Sequence, residues 1–123
     1  MAQGLSNSVA VVFLAARPKF LVASAAPVLV GSSLGYAVSG SFNPLLFVLA
    51  LLGIMSLHAG ANLANDYYDH ISRNDWLNRN PTPFSGGSRY IQDGVLSARA
   101  ILLMSLTCLA VGAIGRWFCR SVR

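Results

Sequence analysis

Residues 44–69 read PLLFVLALLGIMSLHAGANLANDYYD, a long apolar stretch that ends in a polar, acidic one. A helix needs about 20 residues to cross a bilayer, and proline is favourable in a first helical turn. The stretch therefore predicts a membrane-spanning helix over residues 44–65. Its polar end, from Asn62 to Asp69, is expected to close that helix at the membrane edge.

Two further apolar stretches are long enough to span a membrane, at residues 20–39 and 98–118. The turn GSFN at residues 40–43 is short, which predicts that the first two helices form an antiparallel hairpin. Gly31 and Gly35 give the first helix a small-residue face suited to close packing, and Ser97 is the candidate cap of the third helix.

The predicted fold class is therefore all-α, a transmembrane helical bundle with about three spanning helices. The lead-in at residues 1–19 is expected to lie as an interfacial helix, because its apolar part is too short for a span and lacks the positive charge that opens a signal peptide. A polar loop occupies residues 66–97 in this prediction, and a tail occupies residues 119–123.

The composition excludes several function classes. Of the 123 residues, 54% are hydrophobic and only 11% are charged, too few charges for a soluble domain of this size. The net charge is +5, but apolar stretches separate the basic residues, so no nucleic-acid-binding face is predicted. Cys108 and Cys119 show neither metal-ligand nor disulfide spacing and are expected to be reduced.

Charge placement predicts a topology. The loop between the second and third spans contains all four acidic residues and several arginines, and Arg17 and Lys19 precede the first span. By the positive-inside rule, which counts the basic residues, this loop and the N-terminus are expected on the cytoplasmic side of the cell (inner) membrane. The tail conflicts with this assignment, because Arg116, Arg120 and Arg123 then lie outside. The conflict favours a truncated or frame-shifted reading frame, and we expect the chain to be a fragment.

The polar end of the second helix is the candidate site. At about 100° per residue, Asn62, Asn65, Asp66 and Asp69 fall within one arc of roughly 100°. Carboxylate and amide oxygens suit Mg²⁺, which commonly links carboxylates to phosphate oxygens, so Asp66 and Asp69 are the expected metal ligands. The alternative is an ordinary polar helix end solvated by water.

The loop that follows contains features suited to an anion. Arg73, Arg79 and Arg89 are candidates to pair with phosphate, and Gly86-Gly87 allows backbone N–H groups to approach one. The glycine pair has a simpler explanation, because such pairs usually form turns. The aromatic residues of this loop are likewise typical of an interfacial belt. His58, one turn before Asn62, is more often a buried structural histidine than a base.

The segment N-L-A-N-D-Y-Y-D at residues 62–69, with Asp75 following, resembles the first Asp-rich motif of the UbiA-type intramembrane prenyltransferases. Arg17-Pro18-Lys19 and the segment T-P-F-S-G-G-S-R at residues 82–89 resemble the branch that prenylates 1,4-dihydroxy-2-naphthoate for menaquinone. The similarity extends from about Arg17 to Gly112.

The resemblance implies a Mg²⁺-dependent transfer of a polyprenyl group from its diphosphate to an aromatic acceptor, within membrane lipid. It implies catalytic roles for Asp66, Asp69 and Asp75, with magnesium on the first two. Supporting substrate contacts are implied for Asn62 and Asn65, and phosphate contacts for Arg73, Arg79 or Arg89.

The sequence departs from this family in one respect. Family members have roughly nine spans and a second Asp-rich motif, whereas no acidic residue follows Asp93 here. Two alternatives therefore stay open. One is a small membrane subunit that passes cations and has no enzymatic activity, and the other is the inactive product of a disrupted gene.

Overall fold

The computed structural model describes residues 10–77 and 87–121. Within these residues, four helices whose bounds are established follow one another: α1 (Pro18–Ser39), α2 (Pro44–Ile71), α3 (Asn74–Leu77) and α4 (Ala98–Ser121). Residues 10–15 are also helical and lead into α1. By length and composition, α1, α2 and α4 can each cross a membrane. The predicted all-α fold class with three spanning helices is confirmed.

The hairpin of α1 and α2 forms as the short turn predicts. Gly40 ends α1 with a left-handed φ of 67°, and its N–H donates to the Tyr36 carbonyl at 2.8 Å. The side chain of Asn43 caps α2 by accepting the Leu46 N–H at 3.1 Å, with Pro44 at the first position of the helix. Both ends thus use the local chemistry that favours such a connection.

Helix α2 is longer than the span predicted from hydropathy. It continues to Ile71, so the first six residues of the region expected to be a polar loop are helical. No proline or glycine interrupts residues 61–71, and polar residues do not by themselves end a helix. The extension carries the acidic segment on a rigid element, with Asp66 and Asp69 in its last two turns.

Helices α2 and α4 pack antiparallel and closely. A β-carbon on Gly112 would lie 2.8 Å from the Gly53 carbonyl oxygen, and one on Gly60 would lie 2.8 Å from Leu109 Cγ. Ser105 is buried between the helices and donates to the Gly60 carbonyl at 2.8 Å. Small residues and a hydroxyl hydrogen bond are the means by which helices associate in lipid.

The small-residue face predicted on α1 does not pack closely against another described helix. No described atom lies within 4 Å of a β-carbon built at Gly31 or Gly35. A hydrogen bond links α1 to α2, because Ser24 Oγ and His58 Nδ1 lie 2.5 Å apart. His58 is thus hydrogen-bonded between two helices, which agrees with its interpretation as a structural histidine.

A small apolar core lies directly beneath the acidic segment. Ala15, Leu63 and Ile101 are almost completely buried against one another, and Tyr67 and Tyr90 pack around them. These residues come from the lead-in, α2, α4 and the loop before α4. The core therefore joins the lead-in to the helix ends one turn away from Asp66, and it fixes the elements that surround that carboxylate.

Candidate active site at the end of helix α2

Asp66 is the centre of the candidate site. Its side chain is only 3% exposed and forms an ion pair with Arg17, which lies 49 residues earlier in the chain. Its second oxygen, Oδ2, accepts the backbone N–H of Ser88 at 3.2 Å. A buried carboxylate requires such partners, because its desolvation is otherwise unfavourable.

Asp75 lies beside Asp66, although eight residues separate them in sequence. Gly87 lies between the two carboxylates: a β-carbon there would be 3.0 Å from Asp75 Oδ2 and 3.2 Å from Asp66 Oδ1. The backbone at Gly87 has a φ of 70°, which favours glycine. Two features thus favour glycine at position 87: the positive φ of its backbone and the limited space between the two carboxylates.

The Asp75 carboxyl has an unusual electrostatic environment. It is 2% exposed and accepts a hydrogen bond from Gln92 Nε2 at 2.9 Å. Burial raises the pKa of Asp75 above 3.8, and the negative charges of Asp69 and then Asp66 raise it further. The hydrogen bond from Gln92 and the charge of Arg17 act in the opposite direction. Burial and two neighbouring carboxylates thus both disfavour the charged form of Asp75, and a bound cation would offset both.

Asp69 has different partners from Asp66. Its oxygens accept hydrogen bonds from Asn65 Nδ2 at 2.7 Å and from Asn74 Nδ2 at 3.3 Å. Asn62, in contrast, points to the lead-in and donates to the Ala16 carbonyl at 3.1 Å. The structure therefore pairs Asp66 with Asp75 across Gly87 and surrounds Asp69 with amides one turn further along α2.

The predicted phosphate-binding arginines lie on the loop. Arg73 is exposed and Arg89 is half-buried, and both have left-handed backbones, with φ of 63° and 60°. Their carbonyls accept turn hydrogen bonds from Trp76 and Asp93. Arg79 and Gly86 lie outside the described residues.

A cavity of about 350 Å³ opens next to the Arg17–Asp66 ion pair. Arg17, Lys19, Gly87 and Ser88 supply its polar lining. Arg17 Nε and Ser88 Oγ are buried without a hydrogen-bond partner among the described residues, although such atoms are normally paired. Two buried polar atoms and two cationic side chains at one cavity fit an anionic ligand.

Sequence reasoning gave several of these residues no role in the site. Arg17 was interpreted as a topology residue and as part of the family resemblance, and Asn74, Ser88 and Gln92 were given no individual role. The available signal was the segment Arg17-Pro18-Lys19 before the first span, but a contact across 49 residues has no local signature.

The donor chemistry of the site fits Mg²⁺. Asp66 and Asp75 offer only oxygen atoms, and a β-carbon would fill the gap between them at Gly87. No three His, Cys, Asp or Glu side chains converge on one point within residues 10–77 and 87–121. A magnesium ion does not require three, because it usually keeps several waters and takes one or two carboxylates together with phosphate oxygens.

These features define an integral membrane protein of helical type with a buried carboxylate site at a helix end. Over 87 residues, 70% of this chain, it is 41% identical to the 1,4-dihydroxy-2-naphthoate octaprenyltransferase of Haemophilus influenzae, of which it covers 27%. It is also 39% identical to the UbiA prenyltransferase domain-containing protein 1 of Danio rerio, over 56% of this chain and 20% of that protein. The corresponding protein of Ailuropoda melanoleuca is 29% identical over 82% of the chain and 28% of its own length.

The chain is similar to these proteins of the UbiA prenyltransferase family and spans 20–28% of the length of each of them. An aligned stretch of 87 residues within a chain of 123 necessarily includes Asp66 and Asp75. No protein-family model matches the chain. No solved structure matches it either.

Proposed function

We propose that this chain supplies the first metal–diphosphate site of an enzyme that transfers a polyprenyl group from its diphosphate to an aromatic acceptor. The proposed acceptor is 1,4-dihydroxy-2-naphthoate, in menaquinone biosynthesis. The observation that carries the proposal is the similarity to the Haemophilus influenzae octaprenyltransferase across the acidic segment.

In this proposal Asp66 and Asp75 hold Mg²⁺, and Asp69 adds negative charge from the next turn of α2. When bound, the metal neutralises charge that develops on the diphosphate leaving group. Asn65 and Asn74 keep the Asp69 carboxylate oriented by hydrogen bonds of 2.7 and 3.3 Å. The proximity of Asp69 and Asp66 to the buried Asp75 carboxyl supports the assignment of a cation to this place.

The cavity beside Arg17 is the proposed place of the diphosphate. Arg17 Nε and Ser88 Oγ supply unpaired hydrogen-bonding atoms there, and Lys19 adds a second cationic side chain. Charge-assisted hydrogen bonds of this type are the strong ones for phosphate. Arg73, Arg79 and Arg89 on the neighbouring loop are proposed to approach the same ligand, and Asn62 supports the site by holding the lead-in against α2.

The site is proposed to face the cytoplasm, in the cell inner membrane, because Arg17 and Lys19 lie at the start of α1 and further arginines lie in the loop. A cation-passage function is less well supported. Such a protein is expected to place acids within a span, whereas Asp66 and Asp69 lie in the last two turns of α2.

The decisive test measures ligand binding and turnover together. The chain, purified in detergent, is titrated with pyrophosphate in the presence and absence of Mg²⁺, and then assayed with polyprenyl diphosphate and 1,4-dihydroxy-2-naphthoate in membranes that contain it. We expect Mg²⁺-dependent pyrophosphate binding that Asp66→Asn abolishes and that Asp93→Asn, which changes an exposed acid, leaves intact. Binding that is indifferent to Mg²⁺ and to Asp66 would contradict the proposal.

A further inference from the structure

The carboxylate oxygen of Asp66 that faces Asp75 is the same one that Arg17 holds. Arg17 Nη2 contacts Oδ1 of Asp66, while Oδ2 accepts the Ser88 N–H. Oδ1 is also the Asp66 atom nearest to the β-carbon position of Gly87, at 3.2 Å. A cation bound between the two carboxylates would therefore need the same Asp66 oxygen, Oδ1, that the Arg17 guanidinium contacts.

Arg17 is in an uncommon backbone conformation at this ion pair. It precedes Pro18 with a φ of 56° and a ψ of 62°, in the left-handed region that is unfavourable for a residue with a β-carbon. It also joins the helical lead-in to α1. Outliers of this kind persist where the surroundings hold them in place, and they cluster at functional sites and switch regions.

From these two observations we infer that Arg17 is an internal counter-ion of Asp66, which a divalent cation must displace in order to occupy the Asp66–Asp75 gap. This inference rests on the proposed cation site. Without a metal, the guanidinium neutralises a carboxylate that is 3% exposed. With a metal, Oδ1 turns to the cation, and the guanidinium moves away from it, since like charges at contact distance repel strongly in such surroundings.

The exchange makes Arg17 a residue that regulates access to the site. Both states keep the Asp66 charge compensated, so neither leaves a buried carboxylate unpaired. Because the guanidinium leaves when the cation enters, the arginine weakens cation binding compared with an unblocked carboxylate pair. It also ties the occupancy of the site to the junction between the lead-in and α1.

A binding experiment with the metal alone tests the exchange. Mn²⁺ binding to the detergent-solubilised chain is measured by the loss of the free-ion electron paramagnetic resonance signal, without any prenyl substrate. We expect Arg17→Gln to bind Mn²⁺ roughly tenfold more tightly than wild type, because the competing charge is removed, and Arg17→Lys to lie between them. Arg99→Gln is the matched control, since it removes one exposed positive charge from the first turn of α4.

A second measurement uses the wild-type chain and does not depend on the folding of a variant. Phenylglyoxal modifies arginine side chains, and the peptide that contains Arg17 is quantified by mass spectrometry. We expect Mn²⁺ to increase the modification of Arg17, which is released from Asp66, and to leave that of Arg99 unchanged.

The two possible failures are distinguishable. Equal Mn²⁺ affinities in wild type, Arg17→Gln and Arg99→Gln, with no change in Arg17 modification, would overturn the exchange and leave the cation site intact. The absence of Mn²⁺ binding from all of the proteins would overturn the cation site itself, and the inference with it. If Arg17→Gln and Arg99→Gln increased Mn²⁺ affinity equally, the increase would be due to the change in net charge alone. That result would also overturn the exchange.

Discussion

A β-carbon on Gly87 would lie 3.0 Å from Oδ2 of Asp75, closer than such atoms normally approach. We therefore predict that Gly87→Ala lowers Mn²⁺ affinity by roughly tenfold or more, because the methyl group occupies the gap that the cation needs. It should also destabilise the fold by about 1–2 kcal/mol, since alanine is strained at a φ of 70°. Manganese titration and thermal unfolding in detergent measure the two effects.

Gly94→Ala is the control for backbone strain. Gly94 has the same φ of 70°, but no described atom lies within 4 Å of its β-carbon position. We expect a similar loss of stability with unchanged Mn²⁺ affinity. If both variants lose affinity equally, the space at Gly87 is irrelevant to the cation.

The raised pKa of Asp75 predicts a specific pH dependence of stability. The unfolded chain releases the Asp75 proton near 3.8, whereas the folded chain retains it to higher pH. Within that window the folded state binds more protons, so the free energy of unfolding falls as pH rises through the folded pKa. Asp75→Asn should remove this pH-dependent contribution. The measurement compares the unfolding midpoints of wild type and Asp75→Asn across about pH 3–7, the range in which carboxyl groups titrate. A constant difference between them at every pH would contradict it.

The close contact between α2 and α4 predicts a large effect at Gly112. A β-carbon there would meet Leu57 Cγ at 2.5 Å and the Gly53 carbonyl oxygen at 2.8 Å, and a backbone atom cannot move aside easily. We expect Gly112→Ala to destabilise the chain by about 1–3 kcal/mol. The control is Gly115→Ala on the same helix, where the nearest atom lies at an ordinary 3.7 Å. Unfolding in a denaturing detergent compares them, and equal stabilities would show that the helices do not pack this closely.

The Ser24–His58 hydrogen bond predicts a measurable coupling between α1 and α2. A double-mutant cycle of Ser24→Ala and His58→Ala should give a coupling free energy of about 0.6 kcal/mol, the average for such bonds between membrane helices, and up to about 1.7. Strict additivity of the two substitutions would show that the side chains do not interact.

The helices and their ends are predictable because their determinants are local. Hydropathy locates three spans, and the cap predicted at Ser97 forms: Ser97 Oγ accepts the Ala100 N–H at 3.2 Å. The span predicted from hydropathy stops at residue 65 whereas the helix continues to Ile71, since hydropathy detects the membrane edge and not the end of the helix. Local periodicity also grouped Asp66 with Asp69 correctly on one helix.

The partners of those carboxylates are not predictable in the same way. Arg17, Gly87 and Gln92 reach the site through tertiary packing, which a single sequence does not encode in any local pattern. The glycine pair was expected to offer backbone N–H groups to an anion, and this stays a prediction because Gly86 lies outside the described residues. What the sequence did not indicate is that Ser88 donates its N–H to Asp66 and that the missing side chain of Gly87 leaves space beside two carboxylates.

The polar contacts of α1 also determine its register along α2. Ser24 lies about two helical turns after Arg17, and His58 lies about two turns before Asp66, so both pairs meet at a single register of the antiparallel hairpin. A shift of one turn, about 5.4 Å, would separate both pairs at once. Aliphatic side chains in lipid scarcely distinguish neighbouring registers. The two polar contacts therefore select one register, because they form together in it and are lost together in any other.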